Sequence, residues 1–184
     1  MQIIETEIPA IKILVPKRFG DNRGFFSEIY SRKLFREHGI DMDFVQDNHS
    51  LSAEKGVVRA LHWQKAPMAQ AKLVRVVRGS ILDVAVDIRR SSPTFGRHVS
   101  AVLSEENWRQ MLIPVGFAHG FATLEPNTEV IYKVSEYYSP AHERGIYWND
   151  PELAINWGIV PNQAVLSPRD QEHPTFHAAK DLFD

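Results

Sequence analysis

The stretch KLVRVVRGSILDVAVDIR, Lys72 to Arg89, decides the reading of the fold. In its first half Leu73, Arg75 and Val77 oppose Lys72, Val74 and Val76, and beyond Gly79 the residues Leu82, Val84, Val86 and Ile88 share one face. A period of two belongs to strands whose two faces meet different surroundings. Glycine between two such runs takes up turn conformations that other residues resist, so the pattern predicts a β-hairpin closed at Gly79. Working outward, strand-like runs are expected at Gly24 to Tyr30, Asp43 to Ser50, Val57 to Gln64, Arg97 to Leu103, Arg109 to Ile113, Ala118 to Leu124 and Glu129 to Tyr137, separated by Gly, Pro, Asn and Ser clusters. So many short strands imply an all-β sandwich or barrel. Only SRKLFREHG, from Ser31, reads early on as a helix, with Ser31 as its cap and Gly39 as its stop.

The 184 residues show no repeat, low-complexity segment or Pro/Gly-rich internal linker, so one jelly-roll-like domain spanning residues 1–184 is expected. The Pro-containing tail after Pro161 reads as packed loops rather than as a second domain. A formal net charge of -2 gives no electrostatic basis for nucleic-acid binding and favours a small-molecule partner. The absence of cysteine excludes disulfides, thiolate metal sites and a cysteine nucleophile. Glu5 and Glu7 stand where a secretory signal would be basic, and no apolar run approaches the ~18 residues of a membrane span. No membrane partner and a cytoplasmic location are therefore expected.

Several side chains have the chemistry of a site. In VRALHWQ, His62 shares a strand face with Ala60 and Gln64, small or uncharged neighbours that leave room for an imidazole acting as a general base; a packed strand histidine fits the same spacing. Lys72 opens the next strand in an apolar alternation, where it either stabilises an oxyanion or snorkels from the strand end. Tyr132 and Tyr138, six residues apart in one extended run, would line one face, although tyrosine is also a favoured packing residue in strands. IPVGFAHGF sets His119 on a face with Phe117 and Phe121. Arg18, Arg23, Arg59 and Arg169 offer forks for a diphosphate, and Phe19, Phe26 and Tyr138 offer rings for a base. Arg59 has the opposite strand parity to His62 and reaches the same ligand only if the strand bends or the site extends over its edge. Ligand count opposes a metal: Gln64 stands where a second histidine would serve, and Lys72 would repel a cation.

These segments, in this order, resemble the dTDP-4-dehydrorhamnose 3,5-epimerase family. The resemblance rests on RGFFSE from Arg23, FVQDNHS from Phe44, VRALHWQ from Val58, AKLVRVVRGSILDVAVDIR from Ala71, IPVGFAHGF from Ile113, YKVSEYYSP from Tyr132, ERGIYWNDPELAINW from Glu143 and LSPRDQEHPTF from Leu166. It implies a cupin-type jelly roll that pairs as a homodimer with N-terminal segments crossing to the partner's site. It implies a dTDP-sugar substrate, no cofactor and no metal. By motif position it makes His62 the base, Asp170 the carboxylate that orients it, Tyr132 the acid and Lys72 the enolate stabiliser, with His119 beside the sugar and Tyr138 stacked on thymine. Substrate binding carries over to Arg23, Glu28, Gln46, Asn48, Arg59 and Glu143. Arg169 stands where the family often has lysine, and Ala60 where it more often has glycine.

The implied chemistry agrees with the inventory of residues, because a hydrogen beside a ketone needs only a base, an enolate stabiliser and an acid on the opposite face to be inverted. Three rivals are separable. An enzyme that inverts C3 alone or isomerises the ketosugar would have less use for Tyr132, and a non-catalytic nucleotide-sugar binder would have little reason to hold His62, Lys72, Tyr132 and Asp170 together. A metal-dependent cupin oxygenase would carry stoichiometric metal.

Overall fold

A computed structural model describes all 184 residues. Two antiparallel sheets face one another. The six-stranded sheet runs β1 (Gln2–Glu5), β2 (Lys12–Val15), β10 (Gln110–Ile113), β7 (Lys72–Arg78), β12 (Thr128–Val134), β5 (Gln46–Ser52). The five-stranded sheet runs β13 (Glu143–Gly145), β6 (Val58–Gln64), β11 (Phe117–Thr123), β8 (Ser80–Asp87), β9 (His98–Ser104). A separate hairpin joins β3 (Phe19–Asp21) to β4 (Gly24–Phe26). The arrangement is a cupin-like jelly roll, as the strand count implies.

The deciding stretch forms two strands but not the expected hairpin. Strands β7 and β8 lie in different sheets, so Gly79 turns a corner between layers instead of closing a ladder. Its φ is +74°, and a Cβ there would lie 2.5 Å from Thr128 Oγ1, so the corner needs glycine for both backbone and space. Other strands fall within a few residues of expectation, except that β4 stops at Phe26 and β12 stops at Val134. The short strands β1, β2, β3 and β13 carry too little alternation to be seen in the sequence. Helix α1 (Arg32–Glu37) forms as read: Ser31 Oγ accepts from Leu34 N–H at 3.4 Å, and Gly39 takes φ +75° after the last turn.

Three apolar layers result, the smallest where Leu14, Leu73 and Leu112 on the outer face of the six-stranded sheet pack under Phe35 and Ile40. Val74, Val76 and Val130 of the six-stranded sheet meet Ile81, Ala85, Phe117 and Phe121 between the sheets. The opposite face of the five-stranded sheet, including Val84, Val86 and Ile88, packs under Ile146, Trp148, Leu153, Ile155, Trp157 and Phe176 of the C-terminal segment. Burying each large apolar side chain stabilises by roughly 1.5–3 kcal/mol, so this segment is a second core layer rather than a loose tail. Its polar groups are satisfied as it docks: Trp157 Nε1 donates to Trp148 O at 2.8 Å, and buried Asp150 accepts from the N–H groups of Glu152, Leu153 and Phe176. Docking carries helix α2 (Pro168–Gln171) against β6, with Ser167 as its cap. No helix is long and apolar enough to cross a membrane.

Candidate active site

A β-bulge sets the orientation of the site. His62 pairs with His119 and Arg59 with Phe121, so Ala60 and Leu61 oppose the single Gly120. The bulge turns Arg59 onto the face of His62, which strict alternation forbids. It also removes Ala60 from the place expected beside His62 and puts it in the outer core. A Cβ on Gly120 would lie 2.5 Å from Ala60 Cβ, so the irregularity depends on glycine.

The cavity between the sheets encloses about 300 Å³ and is lined by His62, Gln64, Lys72, Tyr132, Tyr138 and Glu143 among others. His62 projects from the five-stranded sheet, whereas Tyr132 and Lys72 project from the six-stranded sheet. Any ligand between them is held with the imidazole and the phenol on opposing walls.

His62 Nε2 lies 2.6 Å from Asp170 Oδ1, and Ser167 Oγ donates to Asp170 Oδ2 at 2.7 Å. Burial alone would raise the Asp170 carboxyl, but the His62 bond and charge and the Ser167 hydroxyl hold it below the ordinary carboxylate value. With Nε2 committed to Asp170, Nδ1 is the nitrogen left to the cavity. Across from it, Lys72 Nζ donates to His119 Nδ1 at 3.5 Å and His119 Nε2 donates to Asp83 Oδ1 at 2.7 Å. Burial lowers Lys72 to about 8, opposed by the charges of Asp83 and Glu143. Burial also lowers His119, consistent with a neutral ring that accepts from lysine and donates to aspartate. The Tyr132 phenol is raised, chiefly by burial, while the charge of Arg59 opposes the rise.

Tyr138 reaches the cavity differently from the expectation. It follows the end of β12 in a loop, fixed where Gln64 Oε1 accepts from Ser139 N–H at 2.6 Å and Gln46 Oε1 accepts from Tyr138 N–H at 3.2 Å. Its hydroxyl donates to Glu143 Oε2 at 2.6 Å, and Arg169 lies 2.7 Å from the same oxygen. Gln46 Nε2 donates to Asn48 Oδ1 at 2.8 Å within β5, and both side chains line the cavity wall. Arg59 is exposed, 3.5 Å from Leu51 O. Phe19, Arg23, Phe26 and Glu28 stand apart: the first three form the exposed β3–β4 hairpin, Glu28 follows it, and none lines this chain's own cavity.

Sequence reasoning missed Asp83, Trp63, Gln70 and His173. Asp83 had a signal, an aspartate in the middle of the apolar run ILDVAVD and fully buried here. His173 had none, because it sits in the tail loops. Its ring meets His62 edge to face, with centroids 5.2 Å apart, and its Nε2 lies 3.8 Å from Asp170 Oδ1. Burial, reinforced by the charge of His62, lowers its pKa. The ligand count made from sequence thus omits one histidine: His62, Asp170 and His173 bring three donor atoms within 4.8 Å of one another.

The model of the family described as dTDP-4-dehydrorhamnose 3,5-epimerase matches residues 5–178. The protein of that name from Salmonella typhimurium is 54% identical over 182 residues, covering 97% of both chains. Among solved structures, the epimerase of Bacillus anthracis, with TDP and PPi bound, is 50% identical with a TM-score of 0.91, covering 95% of this chain and 98% of its own. The dTDP-6-deoxy-D-glucose-3,5-epimerase of Legionella pneumophila, in complex with dTDP-4-keto-L-rhamnose, is 48% identical with a TM-score of 0.91, covering 96% of this chain and 93% of its own.

Proposed function

The chain belongs to the dTDP-4-dehydrorhamnose 3,5-epimerase family, and on that premise we propose how its side chains divide the reaction. The protein is an isomerase of dTDP-rhamnose biosynthesis that inverts C3 and C5 of dTDP-4-dehydro-6-deoxy-D-glucose. His62 Nδ1 removes the hydrogen beside the C4 ketone, with Asp170 holding Nε2–H and stabilising the imidazolium that forms. The electron pair of the broken C–H bond moves to the C4 oxygen, where the Lys72 ammonium donates to the enolate and His119 and Asp83 hold the lysine in place. Tyr132 then gives its phenolic proton to the other face of the carbon. Proton return through solvent resets base and acid for the second centre.

The observation that carries this reading is the placement of His62 and Tyr132 on opposing sheets of one cavity. Tyr138, Glu143 and Arg169 form the mouth that receives the nucleotide, with Gln46, Asn48 and Arg59 at the neighbouring wall. The β3–β4 hairpin supplies Phe19, Arg23 and Phe26 to a second copy, with Glu28 beside it, which makes the active protein a homodimer. One domain carries these functions in the cytoplasm, with no cofactor.

The test is turnover of dTDP-4-keto-6-deoxyglucose in deuterium oxide, followed by NMR at both carbons. His62→Ala should abolish exchange at C3 and C5 together, whereas Tyr132→Phe should leave exchange while doubly inverted product is lost. Undiminished double inversion by Tyr132→Phe would make Tyr132 a packing residue.

A further inference from the structure

Directly behind the base, His173 has a feature that the reaction leaves unused. Its Nε2 is buried without a hydrogen-bond partner, although it points toward Asp170 Oδ1 at 3.8 Å. The ring occupies space that strand β13 leaves open. Gly145 pairs with His62, and a Cβ at Gly145 would lie 2.3 Å from His173 Nε2. On the far side, His173 borders a second cavity with Trp63, Gly145, Pro174 and Lys180, so the cluster has an approach that does not pass through the nucleotide mouth.

We propose that His62, Asp170 and His173 form an inhibitory site for a borderline divalent cation, zinc above all, whose binding switches the epimerase off. This rests on the assignment of His62 as the base.

The donor set suits such an ion, because two imidazoles and a carboxylate with positions left open match zinc, cobalt and nickel rather than magnesium. The distances suit it as well. Ligand atoms about 2.0–2.1 Å from a tetrahedral zinc lie roughly 3.3–3.4 Å apart. The present separations of 2.6 Å (His62 to Asp170) and 3.8 Å (His173 to Asp170) fall on either side of that value and all three donor atoms lie within 4.8 Å of one another, so side-chain shifts on the order of an ångström assemble the three ligands. Asp170 supplies one negative charge and the Glu143 carboxylate acts on both histidines, while Arg169 on Glu143 offsets part of this.

Inhibition follows from the tautomer. A catalytic His62 carries its proton on Nε2 and presents a lone pair from Nδ1. A cation on Nε2 needs that nitrogen's lone pair, so the proton leaves Nε2 and a proton returns through solvent to Nδ1. The proton count is unchanged, but the nitrogen facing the substrate becomes a donor and the base is gone.

The experiment uses the whole protein after chelation. Zinc should inhibit it saturably by tenfold or more at micromolar concentration, reversed by a chelator, with magnesium inert. Cobalt should give the intense visible absorption of a four- or five-coordinate ion, a readout independent of turnover. His173→Ala and His173→Gln should each weaken cobalt binding and zinc inhibition by at least about tenfold. Equal zinc potency and an equal cobalt spectrum in a folded variant would overturn the site, as would the absence of both in the parent protein. A cobalt spectrum lost with His173 but accompanied by full activity would instead overturn the switch, and with it the role of His62 as base.

Discussion

Lys72 shows why one residue's function and its contribution to stability run in opposite directions. Its ammonium is held at about 8 by burial, below the ordinary lysine value, so between that pH and about 10.4 the unfolded chain binds the proton and the folded chain does not. Stability contributed by this group therefore rises with pH through that window, and below it the buried charge is a standing cost. Activity needs the cation, so kcat/KM should fall as pH climbs through about 8, with the kcat limb displaced upward because a bound enolate favours the ammonium. Lys72→Met should lose activity by about 10²–10³-fold while melting at a higher temperature at pH 7. A variant that melts lower would show that the lysine is a structural ion-pair member. Alternation of residues 72 to 77 left Lys72 open between facing inward and snorkelling from the strand end, and only the resemblance chose between them. Its holders were legible only in part, because the pairing of His119 with Asp83 depends on strand register, which periodicity does not encode.

At the scale of elements, the bulge in β6 is the feature that alternation could not predict. Counting by twos separates Arg59 from His62, yet the extra residue opposite Gly120 unites them. Gly120→Ala should destabilise by about 1–3 kcal/mol through overpacking and lower kcat by misaligning His119. In an Ala60→Gly background the cost should shrink without vanishing, since Ala60 Cα and Arg59 O would also lie 2.7 and 2.9 Å from the new Cβ. Chemical denaturation of the four proteins of that cycle checks the coupling; strict additivity would mean that the two residues do not meet. The corner at Gly79 is a similar case: the strands on each side were legible, but local sequence cannot tell a turn within a sheet from a turn between sheets. Tyr138 belongs here too, since its place at the cavity comes from Gln64 and Gln46 gripping a loop, not from strand parity.

At the scale of the whole molecule, resemblance supplied what periodicity could not, above all the partnership of His62 with Asp170, which lies far along the chain. The hairpin with Phe19, Phe25 and Phe26 exposes 52, 57 and 66% of those residues, more than an isolated surface favours. Mixed dimers of Arg23→Ala and His62→Ala should regain part of the activity that each variant lacks, because one of the two sites then holds both native groups. No recovery despite proven subunit exchange would count against a shared site. Exhaustive chelation should leave turnover intact or raise it; loss of activity restored by stoichiometric metal would revive the oxygenase-like reading.

The C-terminal segment also sets the order in which the parts of the site are made. Every strand of both sheets lies at or before Gly145, but the carboxylate that orients the base arrives with residue 170. The lysine wall and the tyrosine wall are thus synthesised before the partner of His62. The base therefore gains its orienting carboxylate only as the outer core layer closes over the five-stranded sheet, and cleavage before Ser167 would remove both the partner of His62 and the packing of Phe176.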